Sequence, residues 1–220
     1  MFLATFNADD GTRVSAFTPQ NGAAFIETNG ALGNPSINTW KIYDKRARLI
    51  ERLSGRPSIV SDAGSADQIF EFNWTVPYGD FQCAFMFNYT RFAQCWLVRM
   101  SNVDGADQLH GTRLWKQRLS PQDGGNIELQ GVQTHIPHGT TARMRVEAIG
   151  DQIRVFMEST LLLDYTETNR TYKSVTGFGF QDDWTQIVAA KPVQIGDVWA
   201  VSANRRAARK SRTDAVFTHD

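Results

Sequence analysis

From residue 142 to residue 201 the chain alternates apolar and polar positions in short runs, each broken by turn residues. In Arg143–Ile149, Met144, Val146 and Ala148 fall on one side; after Gly150-Asp151-Gln152, Ile153, Val155 and Met157 share a face. Ser159-Thr160 then turns the chain into Leu161–Tyr165, a polar loop leads to Val175–Phe180, and Val193–Val201 forms the last run. Successive strand side chains point to opposite faces, so this alternation predicts a sheet with one face buried. Short strands separated by turn signals predict a sandwich or a barrel.

Upstream, Ser65–Trp74 reads as a strand, Phe81–Phe87 and Phe92–Met100 as a hairpin, and His110–Leu119 as a further strand. Lys41–Ile50 fits either a strand pair or a short helix. Asn29–Ile42, rich in Gly, Asn and Pro, is expected to be turns or an irregular excursion, and Ser61–Ser65 and Ser120–Gly125 to be loops. The only helix candidate is the last twenty residues.

The succession of a charged alternating strand, a Gly-Asp turn, a second strand, a Leu-rich strand, Val175-Thr-Gly-Phe178 and a closing strand resembles the concanavalin A-like, laminin-G-like jelly roll. The opening Phe6-Asn-Ala-Asp-Asp-Gly-Thr12, with Thr18-Pro19 and Gly22-Ala-Ala-Phe25, is similar to the start of this domain in phage virion proteins. The resemblance implies an all-β, antiparallel two-sheet sandwich over residues 1–201, followed by a basic tail or assembly arm over 202–220. It also implies that Phe2–Phe6 pairs beside the closing strand, because jelly rolls bring their two ends together.

At 220 residues the chain suits one sandwich domain. A domain of this size buries roughly 70% of its unfolded surface and needs no staples. Fourteen Phe and six Trp favour a pleated, half-buried surface. The N-terminus lacks a charged region followed by an apolar stretch, and no apolar run approaches the roughly 18 residues of a membrane span, so no secretory signal and no membrane partner are expected. Cys83 and Cys95 are too few for a disulfide framework. A symmetric hairpin connection places Cys83 opposite Trp96 and Cys95 opposite Ala84, on opposite faces, so two reduced, buried thiols are expected. Net charge is zero but uneven: Arg205, Arg206, Arg209, Lys210 and Arg212 supply five of the 23 basic residues. That tail is a candidate contact for an acidic partner surface, or else a solvated terminus; nucleic acid is not the expected partner.

Enzymatic chemistry finds little support. Glycoside hydrolysis needs two carboxylates flanking the scissile bond. The nearest approaches, Asp67 with Glu71, Asp164 with Glu167 and Asp182-Asp183, do not put two on one face of a strand with a third behind. No Gly-x-Ser-x-Gly elbow is present, Gly177-Phe-Gly179 is an isolated strand feature, and His135-Ile-Pro-His138 is too short of ligands for zinc. Asn7, Asp9, Asp10 and Asp197 would make a structural calcium clip if the chain ends converge; the alternative is that Asp9-Asp10-Gly11 simply turns.

Among aromatics, Trp40, Tyr43, Tyr89 and Trp184 are expected near strand ends, and Trp74, Trp96 and Trp199 in the core. Asp182, Asp183 and Trp184 form the candidate ligand patch, with acceptors for sugar hydroxyls beside an apolar platform. The expected function is a non-enzymatic phage virion structural or accessory protein. It would be made in the host cytoplasm, hold to other virion proteins and to its own copies, and give subunit cohesion or attachment to a cell-surface glycan. The alternatives are a lectin-like carbohydrate-binding module and a glycan-acting hydrolase.

Overall fold

The computed structural model describes residues 1–29, 40–50, 56–76, 81–91, 94–101, 111–117, 126–134, 136–185 and 193–203. Fifteen strands lie among them: β1 (Phe2–Ala4), β2 (Ile26–Asn29), β3 (Trp40–Tyr43), β4 (Arg46–Leu49), β5 (Pro57–Asp62), β6 (Gln68–Thr75), β7 (Phe81–Arg91), β8 (Gln94–Ser101), β9 (Gly111–Gln117), β10 (Ile127–Val132), β11 (Thr141–Ile149), β12 (Gln152–Met157), β13 (Thr160–Thr166), β14 (Gly177–Thr185) and β15 (Gln194–Ser202). A 3-10 turn at Val14–Ala16 accompanies them. One sheet of eight strands runs β13-β12-β11-β6-β15-β4-β3, with β1 also on β15; the other, of seven, runs β10-β9-β8-β7-β14-β5-β2. The result is the all-β antiparallel jelly-roll sandwich that the resemblance implied.

The core is aromatic. Phe70 and Phe72 of one sheet meet Phe85, Phe178 and Phe180 of the other, with ring centroids about 5 Å apart in tilted and edge-on pairs. Phe2 packs edge-on against Phe178 at 4.9 Å and Phe25 at 5.5 Å. That burial holds β1 against β15, with Phe2 in register with Ala200. Trp74 and Trp96 are buried as expected, and Trp40, at the first position of β3, is buried as well.

Several local expectations change. Lys41–Ile50 resolves to the strand pair, β3 and β4 joined at Asp44-Lys45, so Trp40–Ile42 belongs to a strand and not to the irregular excursion. β5 takes Ser61 and Asp62 from the expected loop. In the central hairpin β7 runs on to Arg91, and Cys83 stands opposite Met100 instead of Trp96. The register differs by four residues, an even number, so the face assignment survives. Cys83 joins the main core while Cys95 lies in a second cluster with Ala84, Met86 and Leu97 on the outer side of the seven-stranded sheet; both are buried and the two are not bonded to each other.

The hairpin's irregularity is anchored. Asn88 takes φ 46° where the β7–β8 register shifts, and its side-chain amide donates to the Val175 carbonyl at 2.7 Å and the Ala66 carbonyl at 3.3 Å. Its Oδ1 accepts from the guanidinium of Arg170, a residue only 1% exposed, whose Nε donates to the Gly150 carbonyl at 2.8 Å. Burial pulls the Arg170 pKa down, against the opposing attraction of Asp67, Asp151 and Glu167. One buried cation thus ties a strand of one sheet to a turn of the other. Ser120–Gly125, His135 and the tail residues Arg205, Arg206, Arg209, Lys210 and Arg212 lie outside the described residues.

Candidate functional site: a groove where the eight-stranded sheet divides

β15 carries two partners along one edge. Gln194 and Ile195 pair with Arg48 and Ala47 of β4, whereas Val198, Trp199 and Ala200 pair with Ala4, Leu3 and Phe2 of β1. Between these two pairings lie Gly196 and Asp197, where β15 bulges against β6: Gly196 pairs with Asn73, but the next register partner is Trp199 with Glu71. The extra residue shifts the phase of the strand. Ile195, Val198 and Ala200 face the core, while Asp197 is exposed and Trp199 half-buried on the outer face. Trp199 is therefore not the core residue expected from the sequence. An unbroken alternation from Val193 would have buried both it and Asp197.

The outer face is laid out in rows by the ladder register. Arg145, Glu71, Trp199 and Leu3 stand side by side across β11, β6, β15 and β1; beside them Arg143 and Asn73 lead to Gly196. Glu71 pairs with Arg143 and approaches Arg145 Nε at 4.0 Å. Asn73 Nδ2 donates to Asp197 Oδ2 at 3.0 Å. Two adjoining hollows share Asn73 and Asp197. One, of about 540 Å³, is lined by Leu3, Glu71, Phe72, Arg143 and Trp199. The other, of about 440 Å³, is lined by Thr5, Asn7, Asp44, Lys45, Arg46 and Gly196. Both volumes fall in the range of small-ligand sites.

The walls hold unusual backbone. Phe6, Asp44, Lys45 and Asp197 all have φ between 44° and 58°. For residues other than glycine such conformations cost of order 1–3 kcal/mol each and persist where the surroundings over-determine them. Here the surroundings are visible: Asp44 N–H donates to Asp10 Oδ1 at 3.0 Å, and the Asp44 carboxylate pairs with Arg48. The loop after β1 thus fixes the β3–β4 turn at the groove.

Of the residues expected to form a calcium clip, Asn7 and Asp197 do reach the same hollow. Asp9 and Asp10 do not join them: the Asp9 carbonyl accepts Thr12 N–H at 3.1 Å in a turn, and Asp10 holds Asp44. Among the described residues no group of three or more carboxylate, imidazole or thiolate side chains comes together. The expected ligand patch fares differently. Asp182 is fully buried on β14, in register with Cys83, so it presents no outward acceptor; the side chains of Asp183 and Trp184 lie outside the described residues. Tyr43 is half-buried on the face that carries the groove, while Tyr89 packs on the outer cluster of the other sheet, its pKa raised by burial and by Cys95.

No protein-family model and no curated protein matches the chain. Solved structures do. The chain is similar to the exoplasmic/lumenal domain of VIP36 in its Ca2+/Man-bound form, with TM-score 0.58 and 11% identity over 86% of this chain and 85% of that one. It is similar to LamAcat from Zobellia galactanivorans, with TM-score 0.57 and 11% identity over 91% and 95%. It is also similar to the carbohydrate-binding module CBM66 from Bacillus subtilis, with TM-score 0.54 and 17% identity over 80% and 95%. The fold is that of lectin-like and carbohydrate-binding-module sandwiches.

Proposed function

We propose that the chain is a non-catalytic, lectin-like module that binds a glycan in the divided-sheet groove. One observation carries this reading: the bulge at Gly196-Asp197 turns the Trp199 indole onto the same outer face as Asn73, Asp197, Glu71 and Arg143. A sugar presents one apolar face and a rim of hydroxyls. The indole offers an apolar platform and an N–H, the carboxylates accept from hydroxyls, and Asn73 and Arg143 donate to them. The named sugar complex and the named carbohydrate-binding module among the structural neighbours support the reading.

Binding without hydrolysis is the expectation because the two carboxylates beside Trp199 are both engaged, Glu71 by the Arg143 and Arg145 guanidinium groups and Asp197 by the Asn73 amide. The opening segment's likeness to phage virion proteins supports placing the module on a particle as an attachment or cohesion element. Co-purification with assembled particles, with and without residues 204–220, tests that placement. The glycan reading itself is tested on a glycan array. The native protein should retain a defined set of sugars, and Trp199→Ala should weaken them about tenfold or more with its thermal midpoint nearly unchanged. A native protein that retains no glycan would refute it.

A further inference from the structure

The outer face of the eight-stranded sheet is rich in arginine, and most of that charge is already answered. Arg48 pairs with Asp44, Arg143 with Glu71, and Arg145 and Arg154 with Glu147. Arg46 is different. Its Nη1 donates to Thr75 Oγ1 at 3.0 Å, Thr141 Oγ1 at 3.4 Å and Gln194 Oε1 at 3.4 Å, all neutral oxygens. Its stem lies over Gly196, and it lines the smaller hollow together with Lys45, a second cation without a carboxylate partner among the described residues.

From this we infer that the groove selects an acidic glycan, with Arg46 and Lys45 receiving a carboxylate or sulfate group on the sugar seated against Trp199. The inference rests on the glycan reading and names its ligand class. Three points support it. The guanidinium is oriented before any ligand arrives, since one nitrogen is held by three side chains, and its remaining N–H groups are suited to fork onto a planar or tetrahedral anion. The backbone that carries Lys45 is fixed as well, because its turn is pinned through Asp44 to Asp10. The cations outnumber the opposing charge: Asp44 is paired with Arg48, which leaves Arg46 and Lys45 against Asp197, whose bond from Asn73 is a neutral one. Asp197 keeps acceptor capacity for a hydroxyl of the same sugar, and the two hollows meet at these two side chains.

Calorimetric titration with three probes tests the inference: oligogalacturonate, sulfated galactan fragments and neutral galactan fragments. The native protein should bind at least one acidic probe about tenfold or more tightly than the neutral one, and that preference should shrink with added salt. Which acidic probe is favoured separates carboxylate from sulfate recognition. Arg46→Gln should remove the preference while leaving neutral binding in place, and Arg46→Lys should restore part of it. If Arg46→Gln lowers the thermal midpoint, Lys45→Gln, on an exposed turn, carries the same test. Equal binding of neutral and acidic probes, or a preference unchanged in Arg46→Gln and Lys45→Gln, overturns the acidic-glycan inference and leaves the glycan reading standing. Failure of the native protein to bind any glycan overturns both.

Discussion

Trp199 stands directly opposite Glu71 across the β15–β6 ladder, on the face away from the core. It does so because one extra residue separates it from Gly196. Deleting Asp197 should restore plain alternation with Ile195 and Val198 still facing the core and Trp199 still opposite Glu71, because the residue removed is the extra one. The deletion variant should therefore keep the Trp199 indole accessible to an aqueous quencher, while glycan retention weakens with the loss of the Asp197 carboxylate. A Trp199 indole that becomes protected in the deletion variant would contradict the β15–β6 register.

Gly179 carries a different constraint. A Cβ there would meet the carbonyl oxygen of Ile59 and crowd Val60 on the neighbouring strand. Gly179→Ala should cost about 1–3 kcal/mol, read as a lowered denaturation midpoint at unchanged slope. This explains a glycine in Val175–Phe180 that has no phosphate or turn to serve.

Acidification should loosen the loop between β13 and β14. Asp151 has its pKa lowered by the backbone N–H groups of Arg170 and Asn169 and by Lys173. In Glu167, burial raises the pKa, but hydrogen bonds from Lys116 and Thr171 outweigh it and the net shift is downward. Carboxylates lowered on folding add stability that is complete above their ordinary range, about pH 4 to 5, and is lost as pH falls through the lower folded values. Thermal midpoints should fall below about pH 4, and Asp151→Asn should flatten part of that fall. A midpoint independent of pH between 5 and 3 would contradict the assignment.

Cys83 and Cys95 face opposite sides of the seven-stranded sheet. Mild oxidation of the native protein should leave both as thiols, and non-reducing peptide mapping should find no peptide linking them. A linked pair would mean that the β7–β8 register is wrong by an odd number of residues.

Much of this architecture is written in the alternation of Arg143–Ile149, Ile153–Val155 and Gly177–Phe180, where every second position is apolar and the strands fall where that period places them. β2, β5 and β10 are harder to see for physical reasons. β2 and β10 are the outer strands of their sheet, and β10 exposes Glu128 and Gly131 with no continuous apolar face. β5 begins at a proline and is buried at consecutive positions. The groove was the least legible feature. Trp199 sits in a strand that alternates well on either side of the bulge. The one signal was Asp197, which an unbroken pattern would place among core residues, a cost that a charged side chain does not bear unpaired. That β1 and β4 share one edge of β15, leaving room between them, is a property of topology and not of any local pattern. Asp182-Asp183-Trp184 had the composition of a sugar site, but the alternation Phe178, Phe180, Asp182 turns Asp182 toward the core.

The central claim is that a glycan lies against Trp199 in the divided-sheet groove. Its most direct test is an NMR titration that follows the six tryptophan indole N–H signals and the side-chain amide of Asn73. On adding a glycan retained by the native protein, the Trp199 indole and the Asn73 amide should shift together with one dissociation constant, while the buried Trp74 and Trp96 stay in place. Shifts confined to Trp115 or Trp184 on the opposite sheet, with Trp199 and Asn73 unmoved, would contradict the account.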